Sequence, residues 1–248
     1  MQRLRIRYAK RGPLRFTSHR DFARAFERAL RRANVPIAFS QGFTPHPKVS
    51  YASAAPTGVA SEAEYLEIGL QAEVSPEELR RALDAALSPG LDIIEVVAAH
   101  GGNLAERIDA SSWQIDLPDI DPGVAAAAVS AFLAADEVPV TRMTKQGMRT
   151  FDARSAVVSL SVREPSDVSP SRCAILDLVV RLVSPTVRPD DVLSGLREVA
   201  ALELPASARA TRLAQGTLTA AGDFVDPLAA DRDADHGTKI GAPPVVVE

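Results

Sequence analysis

Two histidines, His19 and His46, stand in a strongly basic stretch of the chain. Two imidazoles beside cations could act as general base and general acid on a ribose-phosphate. His19 falls at the first position of a predicted helix, where the dipole disfavours the protonated ring. A neutral imidazole there could accept a proton or bond a hydroxyl. His46 is flanked by Pro45 and Pro47, which restrict the backbone and aim the ring, and Lys48 follows. In the same loop Gly42 permits a turn with positive φ, and Phe43 offers a ring for a base or for the core. A nuclease built on His19 and His46 would want an orienting carboxylate. Asp21 alone is close to His19 in sequence, and nothing in the sequence brings the two histidines together, so neither is expected to be catalytic.

The helix that carries His19 is expected over residues 18–34. Ser18 is a good N-cap, Asp21 three residues on completes a capping signal, and Pro36 closes the segment. Phe22, Phe26, Ala29, Leu30 and Ala33 share one sector, while Arg20, Arg24, Arg28 and Arg31 share the opposite one. With Arg15 just ahead, these guanidiniums form a stripe suited to phosphates. A second basic element is the predicted β-hairpin of residues 141–154, with Arg142, Lys145, Arg149 and Arg154 along it and Lys-Gln-Gly at its tip.

Charge is distributed unevenly. The formal net charge is −4, from 28 Lys/Arg and 32 Asp/Glu, but residues 1–50 hold twelve Lys/Arg against two Asp/Glu, a net of +10. The remaining sixteen against thirty give −14. That asymmetry points to an anionic partner for the first segment. The single cysteine, Cys173, opens an apolar strand and is expected to be buried and inert. One cysteine excludes an internal disulfide framework and a cysteine-ligated zinc or iron–sulfur centre. No nucleotide-binding glycine motif and no H-E-x-x-H occurs, so no metal or cofactor is expected. Asp116, Asp119 and Asp121 are spaced like a metal loop, but Pro118 and Pro122 mark a helix start instead. No apolar stretch approaches eighteen residues, which predicts a cytoplasmic protein with no membrane contact.

In chain order, Leu4, Ile6 and Tyr8 alternate with Arg3, Arg5 and Arg7, a half-buried strand with a basic outer face that continues or pairs through residues 14–17. After the first helix come strands at 37–40, 49–54 and 63–70, a helix at 75–87 and a strand at 91–98. The order is β-α-β-β-α-β. The pattern returns with strands at 113–117, 138–143, 153–162, 173–183 and 210–218 and helices at 121–135 and 188–201. The expected fold class is α+β: two tandem ferredoxin-like (βαββαβ) domains at residues 1–99 and 110–218. A disordered tail is expected at 219–248.

The segment from Arg15 to Gly58, with F-T-S-H-R-D, R-A-x-R-R-A-N-V-P, S-x-G-F-T-P-H-P-K and A-P-T-G, resembles the radical-SAM-linked family, a bacterial domain of unknown function. Lys145, Gln146, Gly147, Asp152 and Arg154 resemble that family's second motif. The resemblance implies a protein found beside, or fused behind, a cobalamin-type radical SAM enzyme and often encoded near a ribonuclease of the E/G class. It implies no known activity. The architecture is also similar to that of the CRISPR repeat-RNA endonucleases, at the level of fold alone.

The expected function is a non-catalytic RNA-binding module (tRNA, rRNA or ribonuclease-associated). It would act with a radical SAM protein or with RNA-processing machinery such as an E/G-type ribonuclease. The alternatives are a metal-independent ribonuclease using His19 and His46, and a protein-binding adaptor for a radical SAM partner.

Overall fold

Alternation in the first strand is resolved into two very different faces. The computed structural model describes residues 1–144, 147–163 and 173–238. They form two units: residues 1–108 with the C-terminal residues from 219 onward, and residues 109–218.

In the first unit, β1 (Gln2–Lys10) pairs antiparallel with β3 (Ala60–Leu70) and with β4 (Leu91–Ala98), and β2 (Val49–Ala52) pairs with β3. Leu4 lies opposite Ile68 and Ala98, and Ile6 opposite Leu66 and Val96, which builds an apolar face. Helices α1 (His19–Arg32) and α2 (Pro76–Ala86) cover that face with Phe22, Phe26, Leu30, Leu79 and Leu83. Each fully buried side chain of this size contributes about 1.5–3 kcal/mol.

The other face was expected to be a basic outer face; its arginines are instead paired with acids, and one of them is buried. Arg5 is 0% exposed. Its Nε donates to Glu67 at 2.9 Å, its Nη1 to both oxygens of Asp231 at 2.9 Å, and its Nη2 to the carbonyls of Gly101 (2.8 Å) and Gly102 (2.6 Å). Arg3 pairs with Glu67, and Arg7 with Asp226. Asp226 and Asp231 belong to the segment expected as a disordered tail. Residues 219–238 instead carry β11 (Phe224–Val225) and α5 (Ala229–Thr238). The segment lacks apolar periodicity, but it supplies both acids to a row of arginines and one fully buried apolar side chain, Leu228. Residues 239–248 lie outside the described residues.

Two smaller expectations also change. Residues 12–16 form a 3-10 turn, not a strand, and residues 37–40 contribute isolated bridges, Ile37 to Leu70 and Phe39 to Pro47.

The second unit contains β5 (Ala110–Pro118), α3 (Pro122–Ala134), β6 (Pro139–Thr144), β7 (Gly147–Asp152), β8 (Val157–Val162), β9 (Cys173–Arg181), α4 (Pro189–Ala200) and β10 (Arg209–Leu218). Its main sheet is antiparallel in the order β10-β5-β9-β8, and β6-β7 is a separate two-stranded sheet. The strand expected at 153–162 therefore begins later. Asp152 explains why: its carboxylate accepts the N–H groups of Val138 (2.8 Å), Arg154 (2.8 Å) and Ser155 (3.0 Å), closing the hairpin and starting a 3-10 turn. Burial pushes this carboxyl up, but the three N–H donors outweigh it and hold its pKa below the usual value. Cys173, at the start of β9, is half-buried rather than buried. The fold as a whole is mixed α+β with antiparallel sheets.

Candidate nucleic-acid interface

Helix α1 is fixed at both ends by local chemistry. The Ser18 hydroxyl accepts the N–H of Asp21 at 3.2 Å and donates to its carboxylate at 2.6 Å. At the other end Asn34 takes the left-handed conformation (φ 51°), Val35 N–H reaches Leu30 O (2.9 Å) and Asn34 N–H reaches Arg31 O (3.2 Å). This is a Schellman stop with Asn in the glycine position. The buried side is clamped by Phe22, stacked on Tyr8 with ring centroids 4.4 Å apart. Arg32 donates to Ala86 O at 2.7 Å, at the carbonyl end of α2, where a cation is favoured.

With the helix oriented this way, Arg20, Arg24, Arg28 and Arg31 are all exposed on the outer side. None of the four has a hydrogen bond or ion pair among the described residues. The stripe spans about 16 Å at 1.5 Å per residue. The helix's two acids leave it unneutralised: Asp21 is taken by Ser18, and Glu27 forms no ion pair among the described residues. Glu27, after burial, helps push the phenol of Tyr51 up to about 12.

His19 meets Tyr51 edge-on, with ring centroids 4.7 Å apart. His46 is exposed. Its backbone N–H bonds the Ser40 hydroxyl (3.0 Å) and its carbonyl accepts Ser40 N–H (2.8 Å). No contact joins the two histidines, and Asp21 turns to Ser18. The proline loop is pinned where the chain leaves α1: Ala38 N–H bonds Gly69 O (2.8 Å), Lys48 N–H bonds Ala38 O (2.7 Å), and Gly69 N–H bonds Lys48 O (3.0 Å). Gly42 does adopt positive φ (132°). Phe43 stands fully in solvent, 110% exposed. The Lys48 ammonium lies 3.6 Å from Met1 Sδ. Arg15 is half-buried; its carbonyl accepts the N–H of Gly58 (φ 93°) at 2.8 Å and its guanidinium lies 4.6 Å from the centroid of the Phe16 ring, which is 60% exposed.

The second-unit arginines are placed differently. Arg142 is paired with Asp191, donates to Thr186 O (3.1 Å) and lies 5.0 Å from the Phe151 ring centroid. It ties the hairpin to the start of α4, where the Asp191 carboxyl is pushed up by burial against the pull of Arg188 and Arg142. Arg154 is half-buried and donates to Val157 O (3.2 Å). Arg149, opposite Arg142 in the hairpin register, is exposed. Lys145 lies outside the described residues.

Several residues that shape this region escaped sequence reasoning. Lys10 and Glu64 are buried; Lys10 donates to Pro56 O (3.1 Å) and Glu64 accepts Ala55 N–H (3.1 Å), so they position the A-P-T-G turn against Arg15. Asp231 also accepts from Arg107 (2.8 Å) and from the His100 N–H (2.8 Å). Strand alternation marked the arginines on its outer face; nothing marked an aspartate some 226 residues away as their partner.

Among the described residues no group of His, Cys, Asp and Glu could hold a metal ion, and no helix is long and apolar enough to cross a membrane. Residues 3–189 match the model of DUF2344, described as an uncharacterized protein conserved in bacteria. No curated protein matches. Among solved structures, an unknown protein from Galdieria sulphuraria is similar at 15% identity over 86% of this chain and 99% of that one, with a TM-score of 0.25. The first two RRM domains of yeast poly(U) binding protein match at 9% identity over 85% and 98%, with a TM-score of 0.20. At such TM-scores neither likeness carries an argument.

Proposed function

The chain belongs to DUF2344, a family of uncharacterized bacterial proteins, and from its own geometry we propose that it is a non-catalytic RNA-binding module whose contact surface is the outer side of α1. One observation carries the reading. Arg20, Arg24, Arg28 and Arg31 are exposed and without partners among the described residues, while the arginines of β1 are neutralised by acids. Unpaired guanidiniums in a row suit a row of phosphates, and arginine binds each in a fork. In this reading His46 and Lys48, both exposed in the loop that follows the helix, add to the contact surface.

In the same reading each unit is a ferredoxin-like domain. The strand orders support this, β4-β1-β3 with β2 on β3 in one and β10-β5-β9-β8 in the other. The resemblance to the radical-SAM-linked family supports the choice of partner: a cytoplasmic module in this reading, it would act with a radical SAM protein or with RNA-processing machinery such as a ribonuclease of the E/G class. Hydrolysis by His19 and His46 is disfavoured by their separate contacts, Tyr51 for one and Ser40 for the other.

The test is a gel shift with total RNA at low salt, with chelator present. The RNA is expected to be retarded and to stay intact. Absence of any shift would reject RNA binding and leave the protein adaptor. Cuts lost in both His19→Ala and His46→Ala would establish the nuclease.

A further inference from the structure

In chain order the arginine helix is preceded by one exposed aromatic ring and followed by another. Phe16 lies two residues ahead of the Ser18 cap and is 60% exposed. The Arg15 guanidinium is 4.6 Å from its centroid. Phe43 sits in the loop that follows the end of α1 and is 110% exposed, with nothing of the first unit packed on it. The stem of that loop is held to Gly69 on both strands, by Ala38 and Lys48. Large apolar side chains so exposed cost solvation and contribute nothing to the core. Isolated exposed phenylalanines are ordinary; one just before and one in the loop just after an unneutralised guanidinium row are a more specific pattern.

Resting on the RNA reading above, we infer that the ligand is single-stranded RNA, laid along α1 with one base stacked on Phe16 and another on Phe43. The chemistry is of two kinds. Guanidiniums hold backbone phosphates without regard to sequence. An exposed ring offers its face to a base, and only an unpaired base can be splayed out to take it. In a duplex the bases are stacked on one another and both rings would be left in water. At Phe16 the nearby guanidinium would extend the stack by a cation–π contact. Four guanidiniums and two rings set the site at the short end of the ~4–16 nucleotides that single-strand sites span. The all-arginine composition of the stripe fits, since a guanidinium can also stack.

The experiment is fluorescence anisotropy of the full chain with a labelled 12-nucleotide RNA, single-stranded or annealed to its complement, at the same low salt. Wild type should bind the single strand more tightly than the duplex. Phe16→Ala and Phe43→Ala should each weaken single-strand binding by about 5- to 150-fold, the equivalent of ~1–3 kcal/mol per stacked base, with duplex binding unchanged. Both rings are exposed, so melting temperatures should not move, and a normal melt verifies that each variant is folded. Duplex binding equal to or tighter than single-strand binding would overturn the inference while leaving an RNA-binding module. So would single-strand affinity unchanged in both variants, and loss at one ring only would overturn the two-ended path. If the wild type binds neither probe, the RNA reading falls and this inference with it.

Discussion

Two rows of arginine in the same unit meet opposite fates. On β1, Arg3, Arg5 and Arg7 alternate along a strand and each finds an acid: Glu67, Asp231 and Asp226. On α1, Arg20, Arg24, Arg28 and Arg31 recur along a helix and find none among the described residues. Residue type does not distinguish them, and neither does local spacing. The difference is what the rest of the chain brings. The β1 row faces the segments before and after the second unit, rich in backbone carbonyls and carboxylates. The α1 row faces away from the sheet, and its own two acids leave it uncompensated. Arginine is thus a structural staple in one place and a surface left available in the other. Burial of Arg5 disfavours its charge, but the bonds from Asp231 and Glu67 more than offset this and hold its pKa above the usual value.

The largest effect expected from breaking this contrast is at Asp231. Asp231→Ala strands two guanidiniums, Arg5 buried and Arg107 half-buried, and should cost about 3–5 kcal/mol of stability. Denaturant unfolding measures it, and RNA affinity of the folded variant should be unchanged. A variant that melts normally would show that the Asp231 pairing does not hold the fold, and one that binds RNA more tightly would show that the C-terminal segment shields a binding face.

A smaller effect sharpens the other side of the contrast. The Tyr51 phenol, which meets His19 below the stripe, is pushed up to about 12 by burial and then by Glu27. A phenol in the unfolded chain ionises near 10. As pH rises the unfolded chain therefore loses its proton first, so the stabilisation present below about pH 10 is lost progressively toward pH 12. Tyr65, also raised by burial, adds to the same slope. Tyr51→Phe should flatten the alkaline fall in melting temperature. A Tyr51 phenolate appearing near pH 10 would mean that the ring is open to water, since burial is the larger cause and Glu27 the smaller.

How much of this was readable in advance follows the range of the interactions. The first helix was legible from end to end: Ser18, Asp21, Asn34 and the opposed apolar and basic sectors are all local signals. So was the alternation of β1. What α5 does was not legible, because a segment of Ala, Asp and Gly has no period, and what ties it down is carboxylates meeting distant arginines together with a single buried leucine, Leu228. The hairpin was half legible. Its tip and strands were visible, but the role of Arg142 depends on Asp191, about fifty residues away, and that of Asp152 on three backbone donors. Much of the motif resemblance turns out to have structural work: Asn34 stops the helix, Gly58 makes the turn against Arg15, and Asp152 closes the hairpin. His19, Arg20, Arg28, Arg31, Phe43 and His46 are what such work leaves over.

The central claim is that the α1 stripe, and not the neutralised β1 row, contacts RNA. The most direct measurement is the salt dependence of single-strand affinity for the wild type and for the triple variant Arg24→Glu, Arg28→Glu, Arg31→Glu. Four phosphate contacts predict a slope of log K against log salt of about −3 for the wild type. The triple variant should bind at least about 100-fold more weakly with a much shallower slope and an unchanged melt, since these side chains are exposed. Equal affinity and equal slope in the two proteins would contradict the account.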